Sequence, residues 1–408
     1  EIALEAYLAL RRKMLQFRFT EQGLQLEHFA WAAIAQQQRN GFAFDFQKAN
    51  ELYSLLRQIE SNLEKEIHNV WPPELTLINT YGRAYKKDGT PSANYLRHRQ
   101  QYPQIKDLEG GGYEAYDYVA FNIGSPIQRV DKLTGLGWVP KEFTKKGSPK
   151  VTDKGQLVPS LVEFLETHDV PEVKLIANWI EINARANMIN TWMEAYNHDT
   201  GCIHGSLWLA NSLRYRHSNP NSANIPAVRI GPEGEPKRAE DGVYTYEARD
   251  LWTTRDPSNR RLVGVDAKGI QLRVLAHYLN NQGFIDAVLH GDPHSFNQQV
   301  GGFPTRAMAK TFIYAFLLGC GDAKAGQIIG GSVRDGREIK GRFIGNFDGL
   351  SDLLNSLERQ IERTGRIVLC DGTPVIVTAV HTRLGYLLQG DESRIMKKAK
   401  IIAIKKIK

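Results

Sequence analysis

The stretch P-T-R-A-M-A-K-T-F-I-Y, Pro304 to Tyr314, carries the strongest signal in this chain. Arg306, Lys310 and Tyr314 stand four apart, so on a helix they drift only about 40° per step and share one face. Met308, Phe312 and Phe316 lie roughly opposite. Such a helix shows two cations and a ring on one side and buries an apolar stripe on the other. Arg and Lys one turn apart can both reach a triphosphate, Arg by its planar fork and Lys as a point charge. A Tyr one turn further on can stack on a base or sugar. Taken alone, the pattern describes a solvated cationic face with a half-buried Tyr equally well.

Upstream lies G-V-D-A-K-G-I-Q-L-R, Gly264 to Arg273. The apolar run Leu262–Val265 predicts a short strand leading straight into Asp266. After Gly269 the spacing of Leu272, Leu275, Ala276 and Leu279 predicts a helix. A carboxylate at a strand end can hold a hard divalent cation. The backbone carbonyl of Ala267 can add a second oxygen, and Mg²⁺ keeps water and substrate phosphate for its other positions. The plainer alternative is an Asp that caps the next helix. Gly319, Gly321 and Gly326 follow a helix rather than a strand and lack the G-K-[ST] ending, which excludes a P-loop or Rossmann loop. His204, His217, His277, His294 and His381 show no metal-ligand spacing, and no G-x-S-x-G occurs.

Elsewhere, residues 1–66 predict helix broken at Gly41, and Pro171–Tyr196 predicts another helix. Trp71–Pro140 is rich in Pro and Gly, with scattered Arg83, Lys86, Lys87, Arg97 and Arg99, and predicts loops with short elements at best. Lys141, Lys145, Lys146, Lys150 and Lys154 surround Gly147 and Pro149, as either a solvated turn or a loop tracking a phosphate backbone. Helix is expected over Leu350–Arg363, then a hairpin of Ile367–Leu369 and Val375–Val377 around Asp371-Gly372. Arg394–Lys408 is a Lys/Ile-rich stretch of low complexity.

The 408 residues suggest roughly two to four domains. At 42% hydrophobic and 24% charged residues the composition is that of a globular protein, which argues against global disorder. Cys202, Cys320 and Cys370 form no C-x-x-C pair, which disfavours a disulfide scaffold or a cysteine-type zinc site. No apolar run approaches the ~18 residues of a membrane span. The +7 net charge is localised: Arg394, Lys397, Lys398, Lys400, Lys405, Lys406 and Lys408 supply all of it, with no acid among them. The rest of the chain is formally neutral, so net charge is no argument for nucleic acid on the body.

Together the two motifs match the A and B motifs of family A DNA polymerases. The chain resembles the replicative polymerases of T-seven-like bacteriophages more than bacterial DNA polymerase I. The resemblance runs through A-Q-Q-Q-R-N-G-F-A-F-D (Ala35–Asp45), F-N-I-G-S-P (Phe121–Pro126), G-W-V-P-K-E-F-T-K-K-G-S-P (Gly137–Pro149), H-G-S (His204–Ser206), L-R-Y-R-H-S-N-P-N-S-A-N-I-P (Leu213–Pro226) and H-G-D-P-H (His290–His294). A single-subunit RNA polymerase shares the two motifs, but the stretches around Trp138 and Arg214 argue against it.

The resemblance implies an α+β right-hand polymerase fold of palm, fingers and thumb, with the palm incomplete at the C-terminus. Residues 1–44 would be a helical lead-in from an exonuclease domain, 45–116 thumb, 117–293 thumb base and palm with motif A, 294–363 fingers with motif B, and 364–408 a truncated palm return with a basic tail. The implied activity is template-directed addition of dNTPs to a primer 3′ end by two-metal nucleotidyl transfer. Asp266 matches the metal carboxylate. Arg306, Lys310 and Tyr314 match the residues that bind the incoming triphosphate and pack by its base, with His294 near the triphosphate. Arg214 and Asn224 match template–primer contacts, Gln389 a minor-groove contact, and His381 a His near the active site.

Three departures stand out. The family's third motif, a strand–turn–strand bearing His-Asp-Glu that supplies the second metal carboxylate, is not found. Asp391-Glu392 mimics it, but Leu387-Leu388-Gln389 matches the helix before that motif. Gln271 stands where the family usually has Glu beside the sugar 2′ position, which predicts weakened or altered sugar discrimination. Ala315 follows the B-motif Tyr where Gly is common. No D-x-E exonuclease signature is present. The implied partners are primer–template DNA, dNTPs, a second polymerase chain carrying the C-terminal palm, and a processivity factor, with no membrane. The implied setting is the cytoplasm of an infected bacterium. The competing expectation is a non-catalytic primer–template-binding subunit of a split or degenerate polymerase.

Overall fold

The computed structural model describes residues 2–144, 146–153, 156–218 and 225–407. Among these the helices, in chain order, are α1 (Ile2–Gln16), α2 (Glu21–Asn40), α3 (Phe46–Val70), α4 (Ala93–Gln101), α5 (Pro126–Gly135), α6 (Pro159–Thr167), α7 (Pro171–Glu194) and α8 (Thr245–Asp250). They continue as α9 (Ile270–Leu279), α10 (Gln282–Leu289), α11 (Pro293–Gly301), α12 (Arg306–Leu317), α13 (Asp322–Ile328), α14 (Val333–Asn346), α15 (Leu350–Thr364) and α16 (Arg383–Ile407). The chain divides into two compact units, one of Glu1–Gly41, His204–Ala223 and Asn259–Lys408, the other of Phe42–Ile203 and Asn224–Ser258.

In the Phe42–Ile203 unit, α3 lies along α7. Ala49, Leu52 and Leu56 meet Ile182, Ala186 and Ile189, all buried. A small sheet closes on this pair, with Phe42–Phe44 central between Cys202–Ile203 and Trp252–Thr253, all antiparallel. Its rings interlock: Phe44 stands 6.2 Å from Trp192 and 5.4 Å from Trp252. Trp71–Pro140 is more ordered than its Pro and Gly content predicts. Strands Glu74–Tyr81, Gln104–Asp107 and Tyr113–Val119 form an antiparallel sheet with Tyr113–Val119 central. That sheet is held by rings rather than aliphatics, which hydropathy periodicity does not register. Tyr95 and Tyr113 are buried beside Tyr81, and the Tyr95 hydroxyl donates to Asp107 at 2.6 Å. In the lysine loop, Lys141 pairs with Glu163 and Lys150 with Asp153. Lys145 and Lys154 lie outside the described residues.

In the other unit the core is a cluster of phenylalanines. Phe312 and Phe316 on α12 reach Phe343 on α14, with ring centroids 5.3 and 5.4 Å apart, and Phe303 stands 4.7 Å from Phe312. Each buried Phe contributes roughly 1.5–3 kcal/mol of transfer free energy. The expected hairpin forms, Arg366–Val368 against Pro374–Ile376.

The basic C-terminal stretch is not a loose tail. It continues α16, and its inner cations are buried against α2. Arg394 is 2% exposed and donates to Asp371 at 2.6 Å and to the Gly23 carbonyl at 2.9 Å, and it also pairs with Glu27. Lys397, 6% exposed, reaches both Glu27 oxygens at 2.7 and 2.8 Å. The low sequence complexity therefore conceals a specific ion-paired interface.

Candidate active site

Thr305 starts α12 by accepting the Met308 N–H at 3.2 Å. From there Ala309, Phe312, Ile313, Phe316 and Leu317 turn into the core, while Arg306, Lys310 and Tyr314 stay exposed. The shared face is therefore present, with the aromatic core behind it.

Arg306 is not loose. Its Nε and Nη2 grip the two oxygens of Asp292 at 2.5 and 2.9 Å. Asp292 caps α11, accepting from the Ser295 Oγ at 2.6 Å and from the backbone N–H groups of His294 and Ser295 at 3.2 Å. The Arg306 guanidinium first, and these donors with it, hold the Asp292 carboxyl well below the usual carboxylate range. His294, two residues on, presents its ring 5.8 Å from that of Tyr314. Its Nδ1 is buried and finds no partner among the described residues. Burial pulls the His294 pKa down, with Asp292 pulling it up and Arg306 and Lys310 down. A buried imidazole nitrogen without a partner is costly and marks a place for a ligand or water. Asp292 was missed in the sequence. Its Asp-Pro start to a helix is a capping signature, but nothing in the pattern ties it to Arg306.

The strand expected before Asp266 does not form. Residues 261–267 have no regular structure, and Leu262, Val263 and Val265 are 56, 84 and 88% exposed. A strand needs a neighbour for its backbone groups, and among the described residues none pairs with this segment. Asp266 is exposed. The Ala267 carbonyl accepts the Ile270 N–H at 3.3 Å as the chain turns into α9, and Gly269 makes that turn at φ +62°, a region glycine enters freely. Among the described residues no three His, Cys, Asp or Glu side chains gather where they could hold a metal ion.

Gln271, in the first turn of α9, donates to Glu392 of α16 at 2.8 Å. Arg214 pairs with the same Glu392 at 3.4 Å. Asp391 is 1% exposed and accepts from the Tyr278 hydroxyl at 2.6 Å and the Cys370 N–H at 2.9 Å. Asp391 and Glu392 are therefore both committed to protein partners. Gln389 lines a cavity of about 360 Å³ with Trp208, Asn211, Arg216, Leu318 and Tyr386. His381 lies at the far end of α12, where its carbonyl would stand 2.3 Å from a Cβ on Gly319. Asn224 lies outside the described residues. The structure thus brings together Arg306 and His294 through Asp292, Tyr314 beside the His294 ring, and Gln271 and Arg214 through Glu392.

The sequence model for DNA polymerase family A matches residues 95–384. The chain belongs to DNA polymerase family A. It is 31% identical over 436 aligned residues to the DNA-directed DNA polymerase of Enterobacteria phage T3, covering 92% of this chain and 58% of that protein. The DNA-directed DNA polymerase of Escherichia phage T7 matches to the same extent. Among solved structures, the POL domain of Pol1 from M. smegmatis, in complex with DNA primer-template and dNTP, superposes with a TM-score of 0.63 at 19% identity, covering 99% of this chain and 64% of that one. The fold is thus the α+β fold of a family A polymerase domain, and the chain spans about three fifths of the length of the phage relatives. Among the described residues no helix is long and apolar enough to cross a membrane.

Proposed function

We propose that this chain is the polymerase body of a DNA-directed DNA polymerase, adding the templated deoxynucleotide to a primer 3′ end. The observation that carries this is the Asp292–Arg306 clamp beside the unpartnered His294 nitrogen, on the exposed face that also bears Lys310 and Tyr314. An incoming triphosphate displaces Asp292 from Arg306, because a multiply charged phosphate offers the guanidinium fork a stronger partner than one carboxylate. Lys310, one turn on, meets the same phosphates as a point charge. Burial lowers the His294 pKa and so favours the neutral ring, and its unpartnered Nδ1 can bond a phosphate oxygen or bound water. Tyr314 packs by the base. Gln271 faces the sugar, and Arg214, Gln389 and His381 border the primer–template. In this reading residues 294–363 are fingers and 45–116 thumb.

Asp266 and the Ala267 carbonyl can offer two oxygens to one hydrated Mg²⁺. A two-ion arrangement needs a further carboxylate beside Asp266, from this chain or from a second one. The second reading, a subunit that binds primer–template without extending it, draws on Asp266 belonging to no cluster of three His, Cys, Asp or Glu among the described residues. Primer extension with Mg²⁺ separates the two. The first reading expects a single templated nucleotide to be added and the addition to be abolished by Asp266→Ala. Binding without extension, with and without a chain supplying the further carboxylate, overturns it in favour of the second.

A further inference from the structure

We propose that Glu392 is a positioning residue for nucleotide choice: it holds the Gln271 amide, and the matched pair decides between deoxy- and ribonucleoside triphosphates. This rests on the reading in which Gln271 faces the incoming sugar. The two residues come from different helices, α9 and α16, and lie 121 positions apart. Gln271 Nε2 donates to one Glu392 oxygen at 2.8 Å, while the other lies 3.4 Å from Arg214 Nη2. The Glu392 side chain is only 16% exposed, and that of Arg214 37%.

The carboxylate is thus gripped from both sides. An amide has one acceptor oxygen and two donors on its nitrogen. With Nε2 committed to Glu392, the Gln271 oxygen is turned away from the carboxylate and its orientation is set. A carboxylate at position 271 could not take this place. Two carboxylates at hydrogen-bond distance cannot both ionise without strong repulsion, so the side chain would swing away or one oxygen would bind a proton. The amide at 271 and the acid at 392 are therefore a chemical match, and each is wrong without the other. Arg214 completes the unit by fixing the carboxylate that fixes the amide.

The test measures equilibrium binding of dATP and of ATP to the full chain on a primer–template whose primer ends in a dideoxynucleotide and whose next unpaired template base is T, so that no chemistry is needed. Wild type, Glu392→Ala, Gln271→Glu and the exchange Gln271→Glu/Glu392→Gln are compared, each with a thermal melt to confirm folding. Residues in one hydrogen-bonded network couple strongly enough for an effect of about tenfold. Glu392→Ala and Gln271→Glu should each lower the dATP-over-ATP preference by about that factor. The exchange, which restores one donor facing one acceptor, should return most of it. A purely structural role for Glu392 would move the melting temperature and leave the preference alone. Rescue by the exchange supports the proposal. Additive losses in the exchange, or an unchanged preference in Glu392→Ala, overturn it while leaving the polymerase reading intact. Absence of templated nucleotide binding by the wild type overturns that reading and the proposal with it.

Discussion

At the scale of single residues, the Asp292–Arg306 pair links stability to function. Arg306 lowers the Asp292 pKa, and a carboxylate with a depressed folded pKa stabilises the fold above its unfolded value of 3.8. That contribution is lost as the pH falls through the lowered folded value. Asp292→Asn keeps a capping side chain but gives up the charge. The variant should therefore lose less stability than wild type as pH drops below about 4, with a modest difference because the pair is solvent-exposed; urea unfolding across that range measures it. Arg306→Ala should weaken dNTP binding roughly tenfold or more, since hydrogen bonds to charged groups contribute about 1.5–3 kcal/mol. A titration of the ternary complex checks this, and an unchanged affinity would remove Arg306 from the site.

At the scale of elements, two helices bear the account. Helix α12 was legible in the sequence because one period governs both of its faces: the apolar residues find the Phe343 cluster, and the cations find solvent. Phe312→Ala should cost about 3–5 kcal/mol through the cavity it leaves, read by denaturant unfolding. Helix α16 was only half legible. Its Lys and Ile content gave no hint that Arg394 and Lys397 turn inward to Glu27, some 370 positions away in sequence. Replacing Glu27 by Gln leaves the buried Lys397 without its acid and Arg394 with Asp371 alone, and breaking a buried pair this way costs roughly 3–5 kcal/mol. A loss well below 1 kcal/mol would show that water reaches the pair. The strand before Asp266 fails for the complementary reason. Its composition is right, but strand formation depends on a neighbour, and neighbours are not written in the strand itself.

At the scale of the whole molecule, the family was legible from the order of its motifs along the chain, and the shared exposed face of α12 was legible from its period. Arg306, Lys310 and Tyr314 needed only the helical period. The pairings of Asp292 with Arg306 and of Glu392 with Gln271 escaped detection because each joins two different elements, and local spacing holds no trace of such contacts. The +7 charge likewise changes meaning. Part of it is internal, spent on joining α16 to α2, and does not form a free cationic surface.

Templated nucleotide addition, on the function proposed above, runs through Asp266 and the α12 face. Single-nucleotide primer extension in Mg²⁺ tests it most directly, using this chain with a segment or partner chain that supplies a further carboxylate. The account predicts addition of the templated dNTP alone, abolished by Asp266→Ala and reduced at least about tenfold by Arg306→Ala. Extension that survives Asp266→Ala, or tight primer–template binding with no extension under every condition, would contradict it.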